Sequence, residues 1–158
     1  EKLAARAFGF RRSLCVRSWV HRGTEQRPGL VLGLDRGGSC IGTAFRVQRG
    51  QQADVVDYLR ERELVTHVYK ERTMPVLLAD GRRVPALAYV IDRGHVQYAG
   101  ALTTAEAAGI VSVSTGKSGP NSEYVFNTVA HLKEMGIRDH WLEEVVGLLR
   151  QAPHPAGP

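Results

Sequence analysis

Cysteine is scarce in this chain. Only Cys15 and Cys40 occur among 158 residues, too few for a disulfide framework or a four-thiolate metal site, so two reduced, structural thiols are expected. Long apolar runs are also missing. No stretch nears the ~18 uninterrupted apolar residues of a membrane span, and the amino end lacks the basic, apolar and small-residue succession of a secretory signal. The expectation is a soluble, cytoplasmic protein with no membrane partner. The six histidines, His21, His67, His95, His131, His140 and His154, show no pair at i, i+4 spacing and no cysteine cluster beside them, so the sequence gives a zinc site no support. Two familiar chemical motifs fail as well. Gly116-Lys117-Ser118 looks like the end of a phosphate-binding loop, but Val111 stands where the earlier glycine belongs and Gly119-Pro120 follows where a helix would begin. Ser39 lacks the glycine two places on that a nucleophile elbow requires, since Ile41 sits there and Gly42 comes one residue late.

What is present describes a folded domain. Apolar residues at 43% and charged residues at 23% allow a sizeable core, and the length suits one domain, read here as residues 1–151. Residues 152–158, Ala-Pro-His-Pro-Ala-Gly-Pro, hold nothing core-forming and are expected to be a disordered tail. Seventeen glycines, above the usual ~7%, favour a turn-rich, strand-containing fold. The net charge of +5 is confined to the amino-terminal quarter: residues 1–36 carry eight basic and three acidic residues, and the remainder carries thirteen of each. These basic residues are scattered, and the aromatics near them form no base-stacking motif, so nucleic acid is not an expected partner. Attraction of a small anion and a simply solvated basic face both fit.

Short β-compatible runs occur at 13–18 and 30–34, the second leading into Asp35-Arg36-Gly37-Gly38-Ser39 and then 40–47, which predicts a hairpin. Residues 52–63 predict a helix. Strand character returns at 65–69, 74–78 and 84–91, with Asp80-Gly81 as a hairpin turn. Thr103 and Glu106 form a capping box for a helix to about Val113, Asn121 is placed to cap a second helix, and Asp139 a third. Strands first and helices later predict an α+β fold.

Within the first helix, one carboxylate stands out. At ~100° per residue, Glu63 projects ~20° from Val56 and ~40° from Leu59, whereas Glu61 projects ~140° from Val56. Glu63 therefore shares the apolar face and Glu61 faces water. A carboxylate on a buried face is costly unless it is paired or used, and partial desolvation suits such groups to proton transfer. Either Glu63 is a catalytic acid/base or it is a helix-terminal residue paired with Arg60 or another cation.

Several separated stretches, taken together, resemble one family. Ser18-Trp19-Val20-His21-Arg22-Gly23-Thr24, Arg27-Pro28-Gly29, Tyr58-Leu59-Arg60-Glu61-Arg62-Glu63, and Gly116-Lys117-Ser118-Gly119-Pro120-Asn121 with Tyr124 and Asn127-Thr128 are similar to motifs of the ChaC family. The likeness runs from about Arg6 to Arg150. Its members are γ-glutamylcyclotransferases acting on glutathione, often still labelled cation transport regulators. The resemblance implies a small β-barrel of mixed strands flanked by helices, with no metal and no cofactor. It further implies that Glu63, which follows Tyr-Leu-x-x-Arg, is the acid/base, and that His21, Arg22 and Tyr124 contact substrate. The reaction it implies yields 5-oxoproline and Cys-Gly; a non-catalytic binding or regulatory module of the same fold is the alternative. The family's first strand runs into a Tyr-Gly-Ser-Leu loop, and nothing like it precedes Phe8-Gly9-Phe10. With Glu1 rather than methionine in first place, the expectation is a fragment or processed form that starts downstream of that loop.

Overall fold

The computed structural model describes residues 1–152, arranged as β1 (Lys2–Ser18), β2 (Gly29–Phe45), α1 (Gln52–Glu63), β3 (Tyr69–Leu78), β4 (Arg83–Ile91), α2 (Thr104–Val113), β5 (Thr115–Gly116), β6 (Gly119–Pro120), α3 (Asn121–Glu134) and α4 (His140–Gln151). The tail expected at 152–158 lies, from Pro153 on, outside the described residues. The chain divides into two compact units. One comprises Glu1–Ser13 and Leu32–Tyr98, the other Leu14–Val31 and the chain from Ala99 on. The fold is α+β, as strands early and helices late predict.

The first unit is built on a sheet of order β2-β1-β3-β4. β1 pairs antiparallel with β3 (Ala5 opposite Leu78, Ala7 opposite Val76), and β3 pairs antiparallel with β4 from Tyr69 opposite Ile91 to Leu77 opposite Arg83. Its core is a cluster of Met74, Val76, Leu78 and Val90, against which Leu3, Ala5, Ala7, Phe10, Leu34 and Val84 pack. The closed barrel implied by the resemblance does not form among the described residues: β2 and β4 end the hydrogen-bonded series, so the sheet is open. Closure demands a mutually consistent strand number, tilt and stagger, with ~8 strands giving an interior just wide enough for side chains to fill; four strands do not meet it.

Three strand expectations are corrected. The hairpin at 30–47 is instead the single strand β2, which runs straight through Asp35–Ser39. Gly37 and Gly38 have positive φ, +104° and +63°, so the glycines that looked like a chain reversal bend the strand locally, as in a bulge. β1 also starts at Lys2 rather than at 13, and in its first part exposed Lys2, Ala4, Arg6 and Phe8 alternate with half-buried Leu3, Ala5 and Ala7. Small alanines on the inner face give that period-two pattern little weight in the sequence. Residues 65–68 form the turn from α1 into β3, with His67 in the left-handed region at φ +58°.

In the second unit α2, α3 and α4 pack on one another. The residues they bury include Ala107 and Val111 of α2, Val125, Val129 and Leu132 of α3, and Leu142, Val145 and Val146 of α4. Thr103 and Glu106 make the expected capping box, and the Asp139 side chain accepts from the Leu142 amide at 3.0 Å. No helix among the described residues is long and apolar enough to cross a membrane.

Candidate functional site

Glu63 ends α1 in the first unit. It is half-buried, like Val55, Val56 and Leu59, whereas Glu61 is exposed, which is the difference that the helical projection predicts. Arg60 does not pair with it. The Arg60 guanidinium instead places two parallel hydrogen bonds on the Glu71 carboxylate of β3, Nε to Oε2 and Nη2 to Oε1, both 2.8 Å. Arg62 turns back on its own helix, donating to the Tyr58 hydroxyl at 3.1 Å with its guanidinium over the ring. Glu63 thus makes no ion pair or side-chain hydrogen bond among the described residues. It also stands at the carboxyl end of a helix, where the macrodipole disfavours a negative charge. A half-buried carboxylate without a partner in that position is a candidate functional group.

Neighbouring strands carry two polar groups that the sequence does not flag. Tyr89 of β4 donates its hydroxyl to Glu71 Oε2 at 3.0 Å. The bonds from Arg60, despite some desolvation, hold the Glu71 carboxyl below its ordinary pKa, while burial and then the bond to Glu71 push the Tyr89 phenol up. Asp35 of β2 is fully buried and accepts from Arg93 Nε at 2.7 Å, Tyr98 Oη at 2.9 Å and the Arg36 amide at 2.8 Å. Burial alone would raise its pKa, but these hydrogen bonds and the Arg93 charge outweigh it and leave the carboxyl below the usual range. Both carboxylates are reached across distant parts of the chain, so no local spacing could have revealed them.

The second unit brings His21, Arg22 and Tyr124 together. Three motifs that stand far apart in sequence meet through backbone contacts. The β5–β6 hairpin docks on the loop that follows β1, with the Lys117 amide donating to the Val20 carbonyl at 2.7 Å and the Ser118 amide to the His21 carbonyl at 2.8 Å. These two amides of the Gly-Lys-Ser turn are thereby committed to protein carbonyls rather than to a phosphate. The approach requires glycine: a Cβ on Gly116 would lie 2.5 Å from the Gly23 nitrogen, and one on Gly23 would collide with the Gly29 nitrogen. Arg22 donates through Nη1 to the Pro120 carbonyl at 3.1 Å and lies over the Tyr124 ring, and His21 Nδ1 is 3.0 Å from Ser118 Oγ. His21 is exposed; Arg22 and Tyr124 are half-buried.

Asn121 departs from its expected role. It is the first residue of α3 rather than its cap, and Pro120 occupies the cap position with no side-chain bond. Its fully buried amide instead accepts from the Leu30 amide and donates to the Leu30 carbonyl, both at 2.8 Å. Ser114 adds a bond from its hydroxyl to the Pro28 carbonyl at 3.0 Å. This side-chain imitation of a strand partner stitches the start of β2 to the start of α3. Among the described residues no three His, Cys, Asp or Glu side chains are grouped so as to hold a metal ion.

An α+β chain with a lone carboxylate ending the helix before β3, and a glycine-locked His-Arg loop, defines the class to which the sequence motifs pointed. Residues 1–152 match the model of the ChaC-like protein family, and the chain belongs to that family. Among its relatives, it is 28% identical over 146 residues to the glutathione-specific γ-glutamylcyclotransferase of Escherichia coli K12, an alignment covering 92% of this chain and 63% of that protein. It is 31% identical over 148 residues to the enzyme of the same name from Schizosaccharomyces pombe, covering 80% of this chain and 71% of that one. The chain therefore spans rather less than two thirds of the length of the bacterial relative. A crystal structure of a yeast γ-glutamyl cyclotransferase specific to glutathione superposes with a TM-score of 0.83 at 21% identity, covering 98% of this chain and 89% of that one, and shares the fold.

Proposed function

We propose that the protein is a glutathione-specific γ-glutamylcyclotransferase, a carbon–nitrogen lyase that converts glutathione into 5-oxoproline and Cys-Gly with Glu63 as its acid/base. The observation that carries this reading is the state of Glu63: half-buried, unpaired and closing the Tyr-Leu-x-x-Arg-Glu motif in a chain of the ChaC-like family. The names of the bacterial and fission-yeast relatives support the substrate. The reading treats residues 1–151 as one functional domain, since the family match runs through both units. A cytoplasmic location belongs to the same proposal, consistent with Cys15 and Cys40 being thiols rather than a disulfide.

The chemistry is an intramolecular aminolysis. The α-amine of the γ-glutamyl residue, with a pKa near ~8, is mostly ammonium at neutral pH and is not a nucleophile until it loses a proton. Glu63 accepts that proton. The amine nitrogen then attacks the γ-carbonyl carbon, a new C–N bond closes the five-membered ring, and the old C–N bond to cysteine breaks. Glu63 returns the proton to the departing nitrogen, and the second proton that the ring nitrogen sheds on becoming an amide ends on the freed amine of Cys-Gly, so one carboxylate serves both steps and no water is consumed. The open-chain glutamyl group must be bent into an attacking conformation, and positioning contributes as much as proton transfer. His21, Arg22 and Tyr124 are proposed as contacts that hold the substrate. Arg22 supplies a cation for a tripeptide that carries a net negative charge.

Incubation of the protein with glutathione tests the assignment. Equimolar 5-oxoproline and Cys-Gly should appear, and free γ-glutamyl amino acids should be turned over far more slowly. Glutathione bound without any product would contradict the enzymatic reading and support the non-catalytic module.

A further inference from the structure

We infer that Glu71 is a positioning residue, clamping the last turn of α1 to the sheet through Arg60 and Tyr89 so that Glu63 is held in its working place. This rests on Glu63 being the acid/base. Few other features anchor α1. Its 12 residues include none that is fully buried, and Gln51 at its cap position makes no side-chain cap bond. Helices of that length are marginal in water unless packing holds them. On the exit side, the chain leaves α1 by a turn with His67 at positive φ, and the first fully buried side chain after the helix is Val68, just before β3. The apolar side chains of α1 that are half-buried are Val55, Val56 and Leu59.

Against that weak apolar anchorage stands a polar one of defined geometry. Arg60 precedes Glu63 by three residues, so the two side chains are neighbours on the helix surface. Its paired 2.8 Å bonds to Glu71 set direction as well as distance, because a guanidinium and a carboxylate joined side by side cannot pivot without breaking one bond. The acceptor is itself immobilised: Glu71 and Tyr89 are opposite partners in the β3–β4 register, and the phenol donates to the same carboxylate. Asp57, one turn back on α1, lies 3.8 Å from Arg60 Nη1. Arg62, the other cation of that turn, is committed to Tyr58 within the helix, so Arg60 is the one of the two that reaches the sheet.

The test compares kcat and KM for 5-oxoproline formation, with thermal unfolding, in wild type, Glu63→Gln, Arg60→Ala, Glu71→Ala, Glu71→Gln, the double alanine variant and the charge swap Arg60→Glu/Glu71→Arg. Misplacing a catalytic group by about 1 Å costs on the order of 10²-fold in rate, so kcat should fall by about that factor in either alanine variant while KM stays within about twofold. Because both remove one device, the double variant should lose little more than either single one. Glu71→Gln should retain an intermediate rate and the swap should regain at least part of the loss. A half-exposed ion pair adds little to stability, so Tm should drop by only about 2–4 °C. Wild-type kcat in Glu71→Ala beside an inactive Glu63→Gln overturns the clamp alone. Full activity in Glu63→Gln overturns the acid/base assignment and the clamp with it. A rate lost only in proportion to the unfolded fraction, with folded molecules turning over normally, also overturns it.

Discussion

At the scale of single residues, two carboxylates in the first unit illustrate opposite uses of burial. Asp35 is fully buried but saturated by Arg93, Tyr98 and the Arg36 amide, whereas Glu63 is half-buried and has no such partners. Glu63→Gln keeps size and hydrogen-bonding reach but cannot shuttle a proton, and it should cut turnover by about 10²–10⁴-fold without lowering Tm. Glu61→Gln, on the exposed side of the same turn, should leave the rate unchanged; 5-oxoproline assays of the pair check this. Asp35 has a depressed pKa in the folded state, so its contribution is present above the unfolded value near ~3.9 and is lost as pH falls through the folded value. Asp35→Asn should therefore destabilise the protein by about 2–3 kcal/mol at neutral pH, less than a fully enclosed pair would cost, because Arg93 can rehydrate. The difference from wild type should shrink below about pH 4, which unfolding curves across that range would reveal; a constant difference down to acid would contradict the assignment.

At the scale of elements, the helices are held by capping and by close backbone approach. Thr103→Ala removes one half of the capping box of α2 and should cost about 1 kcal/mol, read as a modest Tm decrease with the active residues untouched. Gly116→Ala introduces a Cβ at 2.5 Å from the Gly23 nitrogen, so the β5–β6 hairpin must move off the His21–Arg22 loop. A destabilisation of about 1–3 kcal/mol is expected, with a raised KM for glutathione as the functional sign. These elements also show what a sequence can reveal. The bounds of α1 and α2 and the Asp139 cap of α4 were readable because caps, periodicity and breakers are local signals. The continuity of β2 was not, since Gly37 and Gly38 have the composition of a turn and only pairing with β1 keeps the strand going. Asn121 was misread for a related reason. An asparagine after a proline and before a helix has the local chemistry of a cap, and the Leu30 backbone that actually claims it lies 91 residues away. Glu63 was legible through its phase on the helix, but Glu71 and Asp35 take their meaning from partners brought by the sheet.

At the scale of the whole molecule, one family match runs through both units. The proposed reaction is a cyclisation rather than a hydrolysis, and the fate of solvent oxygen separates the two. The decisive measurement is to incubate the protein with glutathione in water enriched in heavy oxygen and identify the products by mass spectrometry. The expected products are Cys-Gly and 5-oxoproline, both free of solvent oxygen, because the attacking atom is the substrate's own nitrogen. Glutamate carrying one solvent oxygen in its γ-carboxylate, in place of 5-oxoproline, would contradict the cyclisation.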